Sequence, residues 1–232
     1  PEYRGVKLLA IDTVTEACSA ALWFDGEVQE RFELAPRRHT TLILPMVQQL
    51  LADSGLSLSQ LDALAVDRGP GSFTGVRIGT GVVQGLAYAV DLPVVPVSSL
   101  VTLAQAVWQK LQYENVLAMI DARMQEVYWA HYEFVEKEMV LVGEERVDPL
   151  AQVSMADGPT VYCVGSGSRL YQEQLQSRSG YQVLADSVYD FPHAAVLAGL
   201  AVNAYDRNEV VSADQLEPIY LRNQVVQRKS AS

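Results

Sequence analysis

Asp12, Thr13 and Thr15 fall within AIDTVTEACSA, where one apolar run of strand length gives way to another, and they offer a carboxylate and two hydroxyls at a single turn. Hydroxyls so placed can donate to an anion. Val14 and Glu16 work against that use: the turn has no glycine to bring backbone N–H groups to a phosphate, and Glu16 repels one. A matching stretch, MIDARMQEVY, carries Asp121 and Arg123 and again lacks glycine. The plainer reading of Asp12 and Asp121 is that they shape hairpin turns.

Glycine is concentrated elsewhere. VDRGPGSFTGVRIGTGVVQGLA leaves a predicted strand, turns through Gly69, Pro70 and Gly71, and enters a helix that still holds Gly75, Gly79, Gly81 and Gly85. A helix-interior glycine costs about 1 kcal/mol relative to alanine, so something must come close to this backbone. The stretch is not a Walker loop, because no glycine–lysine pair follows, nor a nucleophile elbow, because Pro70 stands where the elbow's first glycine belongs relative to Ser72. A glycine turn at a helix N-terminus can bind an anion or simply join strand to helix tightly. Gly165 and Gly167 in GSG also allow two readings, a passage beneath a nucleotide base or an ordinary turn. If a nucleotide binds, Asp12, Thr13, Thr15, Gly165 and Gly167 are the residues expected to face it.

No metal site is expected. His39 would need a second histidine four residues on, and that position is Ile43; beside Arg37 and Arg38, His39 reads as a surface or capping residue. With His131 and His193 the only other histidines, no pattern supports a serine peptidase triad.

The elements that hold these residues repeat. VKLLAID, ACSAALWF and EVQERFEL are three strands, the last two joined by the hairpin signal Asp25-Gly26. LILPMVQQLLADSG keeps helical spacing through Ile43, Met46, Val47, Leu50 and Leu51, with Gly55 placed to cap it. LDALAVD, the glycine helix and LPVVPV complete the order βββαβαβ. After a helix in SSLVTLAQAVWQKLQ, the second half follows the same order: strands NVLAMID, EVYWAHYEF and MVLVGEERV, a short helix DPLAQVSMA, strand TVYCVGSG, helix SRLYQEQLQSR and strand YQVLA. A terminal helix around PHAAVLAGLAVNAYDR is added. This predicts an α/β protein of two similar domains, 1–100 and 101–217, each a mixed sheet flanked by helices, and a tail over 218–232 whose last residues are disordered.

The 232-residue chain is 49% hydrophobic, ample for packed cores. It has no apolar run of membrane-spanning length, and PEYRGVKLLAID lacks signal-peptide order, so a cytoplasmic, membrane-free protein is expected. Cys18 and Cys163 lie in predicted strands of separate halves and read as buried free thiols. A formal charge of -11 opposes autonomous binding to nucleic acid.

In the glycine helix, Gly75 with Gly79 and Gly81 with Gly85 make two smooth faces, one able to lie on the sheet and the other to admit a second helix. The preceding helix is too apolar for a solvent face, since Leu42, Leu44 and Met46 broaden its stripe. A helix-on-helix interface with another chain is expected, formed by Met46, Val47, Leu50, Gly75, Gly79, Val82 and Val83. The alternative is that both faces are buried within the domain.

Duplicated βββαβα halves resemble the actin, Hsp70 and sugar-kinase (ASKHA) superfamily of ribonuclease H-like domains, in which the first hairpin of each half cradles phosphate. The two glycine-free hairpins depart from that pattern and argue against efficient phosphotransfer. More narrowly, LLAIDTVTEACSAAL, RRHTTLILPMVQQLL, VDRGPGSFTGVRIGTGVVQGLA, PVSSL, MIDARMQEVYWA and EPIYLRN resemble the TsaB (YeaZ) family nearly end to end. The resemblance implies two actin-like domains and a non-catalytic scaffold that pairs with the catalytic paralogue TsaD, and with itself when alone, through its N-terminal-domain helices. It implies work beside the ATPase TsaE, while TsaD transfers threonylcarbamoyl to adenosine 37 of tRNAs reading ANN codons. It further implies no cofactor of its own, ATP or ADP in the complex, and tRNA met only through the complex. The contrasting expectations are a weak nucleotide-binding protein or ATPase of the actin-like class, or a peptidase-like protein.

Overall fold

The computed structural model describes residues 5–154 and 158–222. Strands β1 (Leu8–Asp12), β2 (Ala17–Phe24) and β3 (Glu27–Leu34) form an antiparallel meander. Helix α1 (His39–Ser54) leads to β4 (Ala63–Asp67), which pairs parallel with β1, and α2 (Phe73–Val90) leads to β5 (Val94–Val97), parallel to β4. The sheet order is β3-β2-β1-β4-β5. Gly55 caps α1 in the left-handed conformation at φ 67, and Leu56 N–H donates back to Leu51 O at 3.0 Å, the closure that the sequence called for.

After α3 (Ser99–Leu111), strands β6 (Asn115–Asp121), β7 (Glu126–Val135) and β8 (Glu138–Pro149) form a second meander, to which β9 (Val161–Val164) and β10 (Tyr181–Val183) add in parallel. The order β10-β9-β6-β7-β8 repeats that of the first sheet. The expected helix DPLAQVSMA is only a 3-10 turn over Leu150–Gln152, its final residues lying outside those described. The single helix expected in SRLYQEQLQSR is broken into α4 (Ser166–Leu170) and α5 (Gln172–Gln176). The disorder expected at the end of the tail also falls outside the described residues.

The last helix corrects the expected domain span of 101–217. α6 (Ala194–Asp206) follows β10 in sequence but packs across all five strands of the first sheet. Conversely α3 follows β5 but packs on β6, β7, β8 and β9. The compact units are therefore the described residues up to Ser98 with His193–Pro218, and Ser99–Pro192 with the described residues from Ile219. Side-chain size explains the placement of α6. Its Ala194, Ala198 and Ala201 and the strand residues Ala10, Ala63 and Ala65 are all fully buried, and such small residues let helix and sheet approach closely.

Each sheet is covered on both faces. In the first unit Leu9, Ile11, Leu22, Leu64 and Val66 form one core with Ile43, Val47, Leu50 and Val83 of α1 and α2, while α6 covers the opposite face. In the second unit α3 packs through Leu100, Leu103 and Val107 on Val116, Ala118 and Ile120, and Leu175 of α5 packs with Leu117, Met119 and Cys163 on the alternate residues. No helix among the described residues is long and apolar enough to cross a membrane.

Candidate functional site

The turn after β1 is filled by its own chain. Thr13 is wholly buried and its hydroxyl donates to Gly75 O of α2 at 2.7 Å, while Ser72 N–H donates to Val14 O at 2.7 Å. A Cβ on Gly75 would stand 2.1 Å from Thr13 O, one on Gly71 2.4 Å from Val14 O, and one on Gly79 2.7 Å from the Thr13 hydroxyl. The glycines are thus where the hairpin turn rests directly on the α2 backbone. Thr15 is buried as well, and its hydroxyl accepts from Ala17 N–H at 3.3 Å. His39, expected as a surface or capping residue, is buried at the start of α1, with Nε2 set 2.9 Å from Thr15 O and 3.1 Å from Ala17 O. The hydroxyls assigned to an anion are turned to packing this corner.

Asp12 is 1% exposed, and its Oδ1 accepts from Val14 N–H at 3.0 Å. Burial pushes its carboxyl up to about 7; the Val14 N–H and the His193 charge oppose that rise, and Glu30 adds to it. Glu30 and His193 belong to the seat of α6. Ala194 N–H donates to the Ser19 hydroxyl at 3.1 Å and Ala195 N–H to Glu30 Oε1 at 3.0 Å, while His193 Nδ1 meets Glu30 Oε2 at 3.1 Å and its ring stacks on Phe32 at 4.3 Å. The α6 N-terminus is therefore capped from β2 and β3. The Cys18 thiol in β2 is pushed up to about 12, by burial first and then by Asp12.

The second unit uses the same device. Gly165 at φ 96 would put a Cβ 2.2 Å from Met119 O, and Gly167 would put one 3.1 Å from the Ile120 backbone, so the turn into α4 rests on β6 as α2 rests on the first hairpin. Asp121 Oδ1 accepts from Arg123 N–H at 2.8 Å, and Arg123 Nη1 pairs with Asp121 Oδ2 at 3.0 Å, which closes the second hairpin. Asp12, Thr13 and Thr15 thus lie in one unit and Gly165 and Gly167 in the other, each engaged within its own. No group of three or more histidine, cysteine or acidic side chains among the described residues is placed to hold a metal.

Most of the expected interface residues face inward. Leu50 and Val83 are wholly buried, Val47 is 3% and Met46 9% exposed, and Val82 is packed against the same core. Gly75 and Gly79 face Thr13. Leu50 and Val83 are turned wholly to the sheet, whereas Val82 keeps part of its surface exposed. The outward face includes their neighbours in phase, Leu44 (43% exposed) and Pro45 of α1, and Phe73 (56%), Gly81, Gly85 and Tyr88 (85%) of α2, beside exposed Gln48 and Gln49. A Cβ on Gly81 or Gly85 would meet nothing within 4 Å. Arg77 is the only charged residue of α2, and its guanidinium lies 3.9 Å from the Phe73 ring centroid. The signal available in the sequence was the absence of charge between Thr40 and Ala52 and over all of α2 but Arg77, because a purely solvent-facing surface on a chain of this acidity carries charges.

Two five-stranded mixed sheets of one strand order, each covered by helices on both faces, define a duplicated α/β protein of the actin-like fold, here with the first hairpin closed by a glycine helix. Residues 32–229 match the family model described as TsaD, tRNA N6-adenosine threonylcarbamoyltransferase. The chain is 47% identical to the tRNA threonylcarbamoyladenosine biosynthesis protein TsaB of Escherichia coli K12 and 42% identical to that of Haemophilus influenzae, with 97% of this chain and 98% of each relative covered. A solved structure of YeaZ from Pseudomonas aeruginosa superposes with a TM-score of 0.87 at 45% identity, covering 93% of this chain and 100% of that one. The chain belongs to that family and within it to the TsaB (YeaZ) proteins.

Proposed function

We propose that this chain serves tRNA threonylcarbamoyladenosine biosynthesis as a non-catalytic subunit that pairs with TsaD and works beside TsaE in the cytoplasm. The observation that carries the reading is the nearly uncharged outward face of α1 and α2, where Leu44, Pro45, Phe73 and Tyr88 are exposed beside two glycines open to solvent. Such a face on a chain of net charge -11 is suited to a partner helix pair approaching closely at Gly81 and Gly85. When TsaD is absent, a second copy of the chain takes its place on the same face. The filled hairpin supports a subunit without a nucleotide of its own, ATP or ADP being held elsewhere in the complex. The acidic charge supports contact with tRNA only through the complex.

The test is reconstitution of the modification from TsaD, TsaE, the threonylcarbamoyl-forming enzyme, ATP, threonine, bicarbonate and unmodified tRNA, with and without this chain. Modification should require the chain and should fall at least about tenfold with Gly81→Arg, as expected for a bulky charge at the centre of an interface. Equal modification without the chain overturns the reading, and full activity of the Gly81→Arg variant overturns the face.

A further inference from the structure

Where β6 begins and β7 ends, the second unit holds a cavity of about 460 Å³ lined by three aromatic rings, Tyr113, Phe134 and Tyr162, and by Glu114 and Glu133. The rings are held in place. Tyr113 stacks on Tyr162 with centroids 3.7 Å apart and planes 7° from parallel, and Phe134 stacks on Trp108 of α3 at 4.2 Å and 10°. The backbone around them is pinned as well: Phe134 N–H donates to Glu114 O at 2.9 Å, and Asn115 Nδ2 donates to Pro159 O at 3.2 Å and to Thr160 O at 3.1 Å. A site so fixed costs little ordering when something enters it.

No lysine or arginine lines the cavity, so the two carboxylates add to the negative faces of the rings. His131 does not offset them. Its Nε2 lies 2.5 Å from Asn115 Oδ1 and 3.9 Å from Glu133 Oε1. Since Asn115 turns its Nδ2 to two carbonyls, its Oδ1 is the acceptor and His131 Nε2 carries the proton. Burial lowers the His131 imidazole below its ordinary value, against the pull of Glu133, so the ring is neutral at neutral pH. Elsewhere the chain lays its own guanidinium groups over rings: Arg77 is 3.9 Å from the Phe73 centroid, Arg146 5.5 Å from that of Trp129, and Arg178 5.7 Å from that of Tyr181. The cavity offers the same kind of ring face with carboxylates beside it, and its own lining supplies no cation.

We propose that this cavity docks a partner protein through an exposed arginine, whose guanidinium stacks on the Tyr113–Tyr162 pair with its N–H edge turned to Glu114 and Glu133. Arginine suits the cavity better than lysine, because a planar, weakly hydrated guanidinium lies flat on a ring and still presents donors to carboxylates, whereas an ammonium keeps its water. The two glutamates repel a nucleic acid or any other anion. The site belongs to the second unit and does not rest on the assignment of the α1–α2 face.

The test is an NMR titration of the full chain, labelled at its aromatic carbons, with acetyl-Gly-Arg-Gly-amide. Saturable shifts should be largest at the rings of Tyr113, Phe134 and Tyr162. Acetyl-Gly-Lys-Gly-amide should bind about threefold more weakly or worse, and the Glu114→Gln, Glu133→Gln double variant should lose about threefold or more in affinity for the arginine peptide. Both glutamates are exposed, so the double variant should keep the wild-type melting temperature. Absence of shifts at the three rings, or shifts spread over the acidic surface, overturns the site. Equal binding of the lysine peptide overturns the stacked guanidinium, and unchanged affinity in the double variant overturns the part given to the glutamates. None of these outcomes depends on tRNA modification.

Discussion

A Cβ on Gly75 would stand 2.1 Å from the carbonyl oxygen of Thr13, so the glycine helix and the first hairpin of this chain touch backbone to backbone. The contact fills the turn after β1, and it fixes which face of α2 remains outside. Gly75→Ala should therefore destabilise the chain by roughly 2 to 3 kcal/mol, because neither the turn nor the helix can give way cheaply. Gly81→Ala and Gly85→Ala, with open space at Cβ, should each raise stability by up to about 1 kcal/mol. Urea unfolding of the three variants measures both signs.

Helix α1 is sorted in the same way. Leu50 is wholly buried, and Leu50→Ala should cost roughly 2 to 5 kcal/mol. Leu44 is 43% exposed, so Leu44→Ala should stay within about 0.5 kcal/mol of wild type. Leu44→Glu should likewise preserve the melting temperature and yet weaken pairing in the reconstituted assembly, as followed by size-exclusion chromatography.

Asp12 predicts a pH dependence with a definite sign. In the unfolded chain its carboxyl ionises near 3.8, whereas burial holds it up to about 7 in the fold. Between those values unfolding releases a proton, so stability is fully present below about 3.8, falls as pH rises, and levels off above about 7. At about 1.4 kcal/mol per unit, the loss over this window amounts to as much as about 4 kcal/mol. Asp12→Asn keeps an acceptor for Val14 N–H and removes the titration, so its stability should be nearly flat where that of the wild type slopes. Chemical denaturation at several pH values compares the two.

The two cysteines should be silent in the native state. Burial pushes both thiols up to about 12, Cys18 with help from Asp12. A thiol-reactive chromophore at neutral pH should therefore detect neither until denaturant is added, after which it should detect two per chain. Rapid native reaction of either cysteine would show that its strand opens far more readily than its burial implies.

Periodicity and turn chemistry were legible in the sequence, because both are written in neighbouring residues. The two meanders, α1 with its Gly55 cap, the glycine-rich entry into α2 and the repeat of strand order all follow from local patterns of two or of three to four residues. So does the missing charge on α1 and α2, a compositional fact that already marked one face of each helix as unsuited to water. Local pattern, however, gives only the relative phase of residues on a helix. Gly75 with Gly79 and Gly81 with Gly85 are equivalent pairs until a sheet lies against one of them. The turn at Thr13 and Val14, distant in sequence, chose the first pair, and Met46, Val47, Leu50 and Val83 went to the core with it. The exchange of α3 and α6 between the units was beyond local reading for the same reason. Which sheet an alanine-rich helix covers depends on which exposed face is shallow enough to receive it, and only the folded chain brings Ala194, Ala198 and Ala201 to Ala10, Ala63 and Ala65. The aspartates make the point most compactly. Asp12, which ends β1, and Asp67, which ends β4, were each visible at a strand end, but they come level with one another, both buried, only because β1 and β4 lie side by side.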